Sequence, residues 1–203
     1  MSKFLKVMIV LLAIAAVATP AMADSNMKLN GYFRTQMITQ QLSPSAADDV
    51  TMVDQRLRFK LTYGVNDNIS IVHYTEVDTP WGQVSKGGIG GGGKAGGDGV
   101  NIETKNAYVQ IMAADTKFIV GLQGFTLGFD YAIIGNDIAG LTATKKISDA
   151  ASLTVGYFKG DNGVATATDD MDIYAAKLNL SVAEGTKLGA GLLFVDMNAN
   201  DGI

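Results

Sequence analysis

The chain has 203 residues, of which 47% are hydrophobic, and it contains 24 glycines, 3 prolines and no cysteine. The absence of cysteine excludes disulfide bonds, thiolate metal sites and c-type haem attachment within this sequence. The formal net charge of −4 becomes about −6 when the two lysines of the first 23 residues are left out, so the composition gives no support for nucleic-acid binding.

The first segment has the pattern of a secretory signal peptide. Lys3 and Lys6 precede an uncharged apolar run at residues 7–17, and Ala21-Met22-Ala23 supplies a small-x-small cleavage motif. The run is shorter than the roughly 20 residues that a membrane-spanning helix needs, so a retained helical anchor is the less favoured interpretation. The sequence therefore predicts a signal peptide at residues 1–23 and an exported domain at residues 24–203.

The next two segments predict β-strands with one apolar and one polar face. Residues 28–40 form the first strand, and residues 53–63 form part of the second. In the second strand the polar positions alternate with apolar ones, and they are Asp54, Arg56, Arg58 and Lys60. Because successive side chains of a strand point to opposite sides, one face carries three cations and cannot pack in a protein core. A strand between lipid and water satisfies this pattern.

Seven further strands are expected in the rest of the chain. They lie at about residues 69–77, 100–112, 117–123, 138–147, 152–158, 171–182 and 187–196. The fourth strand changes phase near Asn106, as a β-bulge would cause. Short and long connectors alternate, and with a periplasmic N-terminus every long connector falls on the external rim.

These elements predict an all-β protein, specifically an antiparallel transmembrane β-barrel in the outer membrane of a Gram-negative bacterium. A closed single-chain bacterial barrel normally has an even number of strands, whereas about nine are visible here. Because polar residues 198–203 follow the ninth strand, we expect an incomplete portion of a larger barrel, truncated at the C-terminus. A small barrel of eight or ten strands is the alternative.

Several segments resemble the N-terminal parts of Gram-negative outer-membrane porins. They are the signal peptide, residues 54–59, Thr79-Pro80-Trp81-Gly82 before a glycine tract, residues 98–105 and Val120-Gly121-Leu122-Gln123. The resemblance covers most of the mature chain and is one of pattern. It implies a large barrel in outer-membrane lipid, often a homotrimer, that passes small hydrophilic solutes and is not an enzyme. Ile203 departs from the terminal aromatic residue that is usual in porins.

Charged positions on the polar faces are the candidate pore lining. They are Arg34, Asp54, Arg56, Arg58, Lys60, Glu76, Glu103 and Lys105. The basic residues of the first two strands are expected to form a ladder along one wall, with Asp54, Glu76 and Glu103 on the opposing acidic side. Opposed charges would produce a transverse field that orients polar solutes. A solvated wall that simply tolerates charge is the alternative.

Other motifs favour structural interpretations, and no cofactor or metal is expected. Residues 88–93 match the dinucleotide-binding fingerprint literally, but they lie in a glycine tract without the strand and helix that the fingerprint needs. Asp196, Asn198 and Asn200 have the spacing of the first ligands of a calcium loop, yet its sixth position is Asp201 instead of glycine.

Aromatic and histidine positions also receive structural interpretations. Trp81, Tyr74 and Phe125 are expected in an interfacial aromatic girdle. His73, the only histidine, has no serine beside it, so a role in the barrel wall is favoured over catalysis. Two other functions stay open: a barrel that is a sheath or anchor for a redox or surface partner, and, less favoured, an outer-membrane lipid hydrolase.

Overall fold

The computed structural model describes residues 26–40, 50–82, 93, 95, 102–127, 134–162 and 170–198, so the predicted signal peptide and most of the glycine tract lie outside the described residues. The described residues form nine β-strands and no helix. The strands are β1 (Met27–Gln40), β2 (Val50–Asn66), β3 (Ile69–Pro80), β4 (Glu103–Ala113), β5 (Thr116–Leu127), β6 (Ile134–Ser148), β7 (Ala151–Asn162), β8 (Asp170–Ala183) and β9 (Thr186–Asn198). Within these ranges there is no helix with the length and hydropathy to cross a membrane.

The nine strands form one antiparallel sheet in which each strand pairs with the next along the chain, in the order β1 to β9. This confirms the predicted all-β fold and the strand count. In the described part of the chain β1 and β9 pair with one neighbour each, so the sheet is open at both edges and is not closed as a barrel.

The pairing register divides the side chains between two faces. Leu29 lies opposite Leu61 and Phe33 opposite Leu57 on one face, while Arg34 lies opposite Arg56 on the other. One row of the second face crosses most of the sheet through paired residues, namely Val72, Tyr108, Gly121, Gly140, Phe158, Ile173 and Val195. The second face therefore continues from the charged positions of β2 to the last strand.

The sheet curls toward this second face. Leu127 in β5 fills the place that a Cβ on Gly191 in β9 would occupy. Lys177 Nζ in β8 donates a hydrogen bond of 3.2 Å to the carbonyl oxygen of Thr126 in β5. Strands β6 and β7 lie between β5 and β8 in the sheet, so these contacts require strong curvature. We call the face of Arg56, Lys177 and Gly191 the concave face and the opposite one the convex face.

Burial on the two faces is the reverse of that in a water-soluble sheet. The concave face holds a buried apolar cluster of Phe125, Leu127, Phe158, Ile173 and Ala175. The convex face exposes large hydrophobic side chains on β1, β2, β3, β7, β8 and β9, among them Leu29, Phe33, Leu57, Phe59, Ile71, Val155, Tyr174, Leu192 and Phe194. An exposed apolar surface of this extent marks contact with a partner or a membrane.

A β-bulge in β4 changes the phase of that strand. Tyr74 pairs with Asn106 and Thr75 pairs with Thr104, so Lys105 is an extra residue without an opposite partner in β3. This confirms the phase change predicted near Asn106. A bulge bends the strand and redirects its side chains, and the amine of Lys105 here contacts the carboxylates of Glu76 in β3 and Asp137 in β6.

Candidate functional site

All eight residues predicted to line a pore lie on the four neighbouring strands β1 to β4. Most of them belong to a network of ion pairs that we call the charged cluster. The cluster consists of six linked residues, Arg56, Arg58, Glu76, Asp78, Lys105 and Asp137, and of the neighbouring pair Arg34 and Asp54. The sequence prediction therefore found six of these eight residues, and the structure adds Asp78 and Asp137.

Glu76 is the centre of the charged cluster. Its side chain is only 4% exposed, and it forms an ion pair with Arg58 Nε. Arg56 Nε lies 3.3 Å from Glu76 Oε2, and Lys105 Nζ lies 3.8 Å from Oε1. A buried carboxylate is strongly destabilising unless cations and hydrogen bonds compensate it. Three cations provide that compensation, two from β2 and one from β4, the strands on either side of β3.

Arg56 also forms a two-point contact with Asp78. Its Nε donates to Asp78 Oδ1 at 2.7 Å and its Nη2 donates to Oδ2 at 2.6 Å. Bidentate pairs of this kind fix the orientation of both side chains as well as stabilising them. Asp78 was missed by the sequence analysis, although its position two residues after Glu76 places both on one face of β3.

The charged cluster extends to both sides of this centre. On β1, Arg34 Nη2 lies 3.8 Å from Asp54 Oδ1, and Gln36 Nε2 donates to Asp54 Oδ2 at 2.9 Å. On β6, Asp137 lies 2.8 Å from Lys105 Nζ and accepts a hydrogen bond of 2.9 Å from the Asn106 amide. The sequence analysis missed Asp137 because it placed that residue in a connector.

Two tyrosines flank Arg58 on the concave face. The Arg58 guanidinium carbon lies 5.8 Å from the ring centre of Tyr32 and 6.0 Å from that of Tyr74. Cation–π contacts at this separation favour the charged guanidinium.

Two of the predicted pore-lining residues lie outside the charged cluster. Lys60 shares the concave face but joins no ion pair or hydrogen bond with any other described residue. Glu103 Oε1 has no hydrogen-bond partner among the described residues.

The prediction of an opposing acidic wall is wrong for Asp54 and Glu76. The register of β2 and β3 sets Glu76 opposite Arg58, and Asp54 lies on the same strand as Arg56 and forms an ion pair with Arg34 of β1. The four cations of the network are matched by four carboxylates. The charged cluster is thus a compensated polar surface in which bases and acids alternate, and it can offer donors and acceptors to water and polar solutes.

The predicted aromatic girdle is wrong for two of its three members. Tyr74 is on the concave face beside Arg58, and Phe125 belongs to the buried apolar cluster. Trp81 is 54% exposed, and its Nε1 donates a hydrogen bond of 3.0 Å to Gln55 Oε1. Trp81 therefore keeps the exposed position that an interfacial residue requires.

The remaining motifs form no catalytic or metal-binding geometry in the described residues. His73 is exposed on the convex face opposite Leu61 and Ala107, and no described residue forms a hydrogen bond or ion pair with it. The described residues contain no group of three or more metal-ligating side chains. The calcium-like spacing at residues 196–200 and the fingerprint at residues 88–93 extend outside the described residues.

Comparison with models of known protein families and with curated proteins finds no match for the chain.

Proposed function

We propose that the protein is a porin-like β-barrel of the outer membrane of a Gram-negative bacterium, and that small hydrophilic solutes or ions pass along its charged concave face. The observation that carries this proposal is the reversed polarity of the sheet. Leu57 and Phe59 are exposed on the convex face, while Arg56 and Arg58 are paired on the concave face. Lipid against the convex side would remove the cost of exposing apolar side chains to water.

Strand length and turn placement support the same proposal. The strands contain 11 to 17 residues, whereas a tilted strand needs about 9–11 residues to cross a bilayer. All four two-residue turns, at residues 67–68, 114–115, 149–150 and 184–185, lie at the same end of the sheet. Outer-membrane barrels have short turns on the periplasmic side and longer connectors outside.

To close as a barrel, the sheet needs partners for the free edges of β1 and β9. A strand edge leaves a row of backbone donors and acceptors unpaired, and in lipid each such group costs several kcal/mol. We propose that further strands complete the barrel between β1 and β9, which makes the nine strands a portion of a larger barrel. The resemblance to porins also supports assembly as a homotrimer.

A second candidate function is a barrel that acts as a sheath or anchor for a partner. The apolar cluster on the concave face favours it, because Phe158 is fully buried and Leu127 is 1% exposed. An interior filled in this way is packed, as in small barrels whose side chains fill the lumen. A wide water-filled lumen would leave the same residues exposed.

Conductance measurements distinguish the two functions. Purified full-length protein is inserted into planar lipid bilayers at low salt, and its insertion is verified by co-flotation with vesicles. A porin gives stepwise increases in ion current as molecules insert. Inserted, folded protein that produces no current contradicts the porin proposal and favours the anchor. Recovery from a membrane fraction other than the outer membrane contradicts the proposed location.

A further inference from the structure

The charges of the concave face are separated along the strand direction. Six lysines lie in the half of their strand nearest the two-residue turns, and they are Lys28, Lys60, Lys117, Lys146, Lys177 and Lys187. The carboxylates that the register places on this face in β2, β3 and β4 lie in the other halves, at Asp54, Glu76, Asp78 and Glu103. The strand halves near the turns therefore carry basic side chains on this face, and the turns themselves add the acids Asp67, Asp115, Asp149 and Glu184.

Three of these lysines line one cavity. The cavity has a volume of about 800 Å³ and lies between β6 and β9, open at the end with the two-residue turns. Lys146, Lys177 and Lys187 contribute to its wall, Asn179 adds an amide and Asp149 adds one carboxylate. Leu127 of the buried apolar cluster also lines the cavity, and it limits the depth to which a solute can enter.

The cations of this cavity are only weakly compensated. Lys146 Nζ lies 2.5 Å from Asp149 Oδ1, but both side chains are highly exposed, and an exposed pair of this kind contributes little. Lys177 Nζ donates to a neutral backbone carbonyl. Lys187 forms no ion pair or hydrogen bond with another described residue. Two of the three amines thus have no carboxylate partner within the described part of the chain.

We propose that this cavity is a binding vestibule for small soluble phosphate compounds. Lysine amines bind phosphate through charge-assisted hydrogen bonds, and three of them around one cavity can engage several phosphate oxygens at once. A volume of this size is typical of pockets for small ligands. Its place on the concave face favours free solutes over lipid headgroups, which would meet the convex face.

The role of the vestibule in transport rests on the proposed porin function, whereas binding itself does not require conduction. The turn end is the periplasmic end of the proposed barrel, so phosphate compounds entering from outside would reach it after they pass the charged cluster. Chloride would gain less from the same site, because it carries a single negative charge and lacks the several separated oxygen acceptors with which a phosphate compound can reach amines on different strands. The vestibule therefore favours multivalent anions over monovalent ones.

Calorimetric titration with inorganic pyrophosphate tests the binding step on purified full-length protein in detergent at low salt. Replacing Lys177→Gln together with Lys187→Gln should raise the dissociation constant about tenfold or more, because two charge-assisted hydrogen bonds are lost. Lys145→Gln is the matched control, since Lys145 is next to Lys146 but on the convex face. It should bind as the unmodified protein does.

Three outcomes overturn the vestibule: no pyrophosphate binding by the unmodified protein, equal binding by the double variant, or an equal loss in the Lys145→Gln control. Lys146→Gln alone gives an independent test if the double variant does not fold, and it should weaken binding by a smaller factor. Bilayer recordings separate this proposal from the porin function. Pyrophosphate binding without ion current supports the vestibule and contradicts the porin function. Ion current without pyrophosphate binding supports the porin function and contradicts the vestibule.

Discussion

Leu127 in β5 packs against Gly191 in β9, although β6, β7 and β8 lie between these two strands in the sheet. The contact is possible because Gly191 has no side chain and the sheet curls toward its concave face. Leu127 also belongs to the cluster that includes Phe158 and Phe125, whose rings are 4.6 Å apart. This part of the concave face is therefore filled by side chains, and we expect it to narrow the interior of the proposed barrel.

Shortening Leu127 should widen that region. We expect Leu127→Ala to raise the single-channel conductance, while the lost packing lowers the free energy of unfolding by about 2–5 kcal/mol. Leu192→Ala is a matched control, because Leu192 is 76% exposed on the convex face. It should leave conductance unchanged. Equal conductance in both variants would place the ion path away from Leu127.

Phe158 depends on Gly140 and Gly156 for its buried position, because a Cβ on either would collide with its ring. A Cβ on Gly140 would collide with the backbone of Tyr157 and lie 2.5 Å from the Phe158 ring. Gly140→Ala should therefore destabilise the protein by about 1–3 kcal/mol through overpacking. Gly189→Ala is the control, since its nearest neighbour would be 3.8 Å away. Urea unfolding in lipid vesicles measures the difference, and similar midpoints for the two variants would contradict the packing described here.

The faces of β1 and β2 could be predicted from sequence because polar and apolar residues alternate there almost without interruption. The phase change near Asn106 was visible for the same reason. Phe125 was assigned to a connector because glycine and aromatic residues surround it, yet it pairs with Asn136 in the sheet. Such pairing depends on contacts between strands, and local sequence carries little information about it.

The partners of the arginines could not be predicted without the register. The two-residue turn at residues 67–68 and the shift near Gly64 set Arg58 opposite Glu76 and Arg56 opposite Asp78. A shift of one residue would move every side chain to the other face, and a shift of two would exchange the ion-pair partners. Alternation shows which residues share a face, whereas the turn decides which of them meet.

The convex face should not tolerate charge. Leu57→Arg should lower the free energy of unfolding in vesicles by about 2–4 kcal/mol, because an arginine would then face the middle of the bilayer. Gln110→Arg is the control, since the register places Gln110 on the concave face opposite Ser70 and Ile119. A smaller effect at Leu57 than at Gln110 would reverse the assignment of the two faces.

The arginines of the charged cluster should influence ion selectivity. Replacing Arg56→Gln together with Arg58→Gln leaves Glu76 and Asp78 without their closest cations, so the reversal potential in a salt gradient should shift toward cation selectivity. The shift should fade in molar salt, where the screening length falls from about 10 Å at 0.1 M to about 3 Å.

Asp78→Asn supplies the complementary variant for this experiment. It removes a negative charge next to Arg56 and should shift the reversal potential in the opposite direction. If the arginine and aspartate variants shift it in the same direction, or leave it unchanged at low salt, the charged cluster does not border the ion path.

The most direct test of the central claim is a cysteine scan along β2. The chain contains no cysteine, so single substitutions at residues 53–63 introduce one thiol each. In vesicles, the even positions should react with a water-soluble thiol reagent and the odd positions should be protected by lipid, with a period of two residues. Reactivity without this alternation, or with the odd positions more reactive, would contradict a sheet that separates lipid from a polar interior.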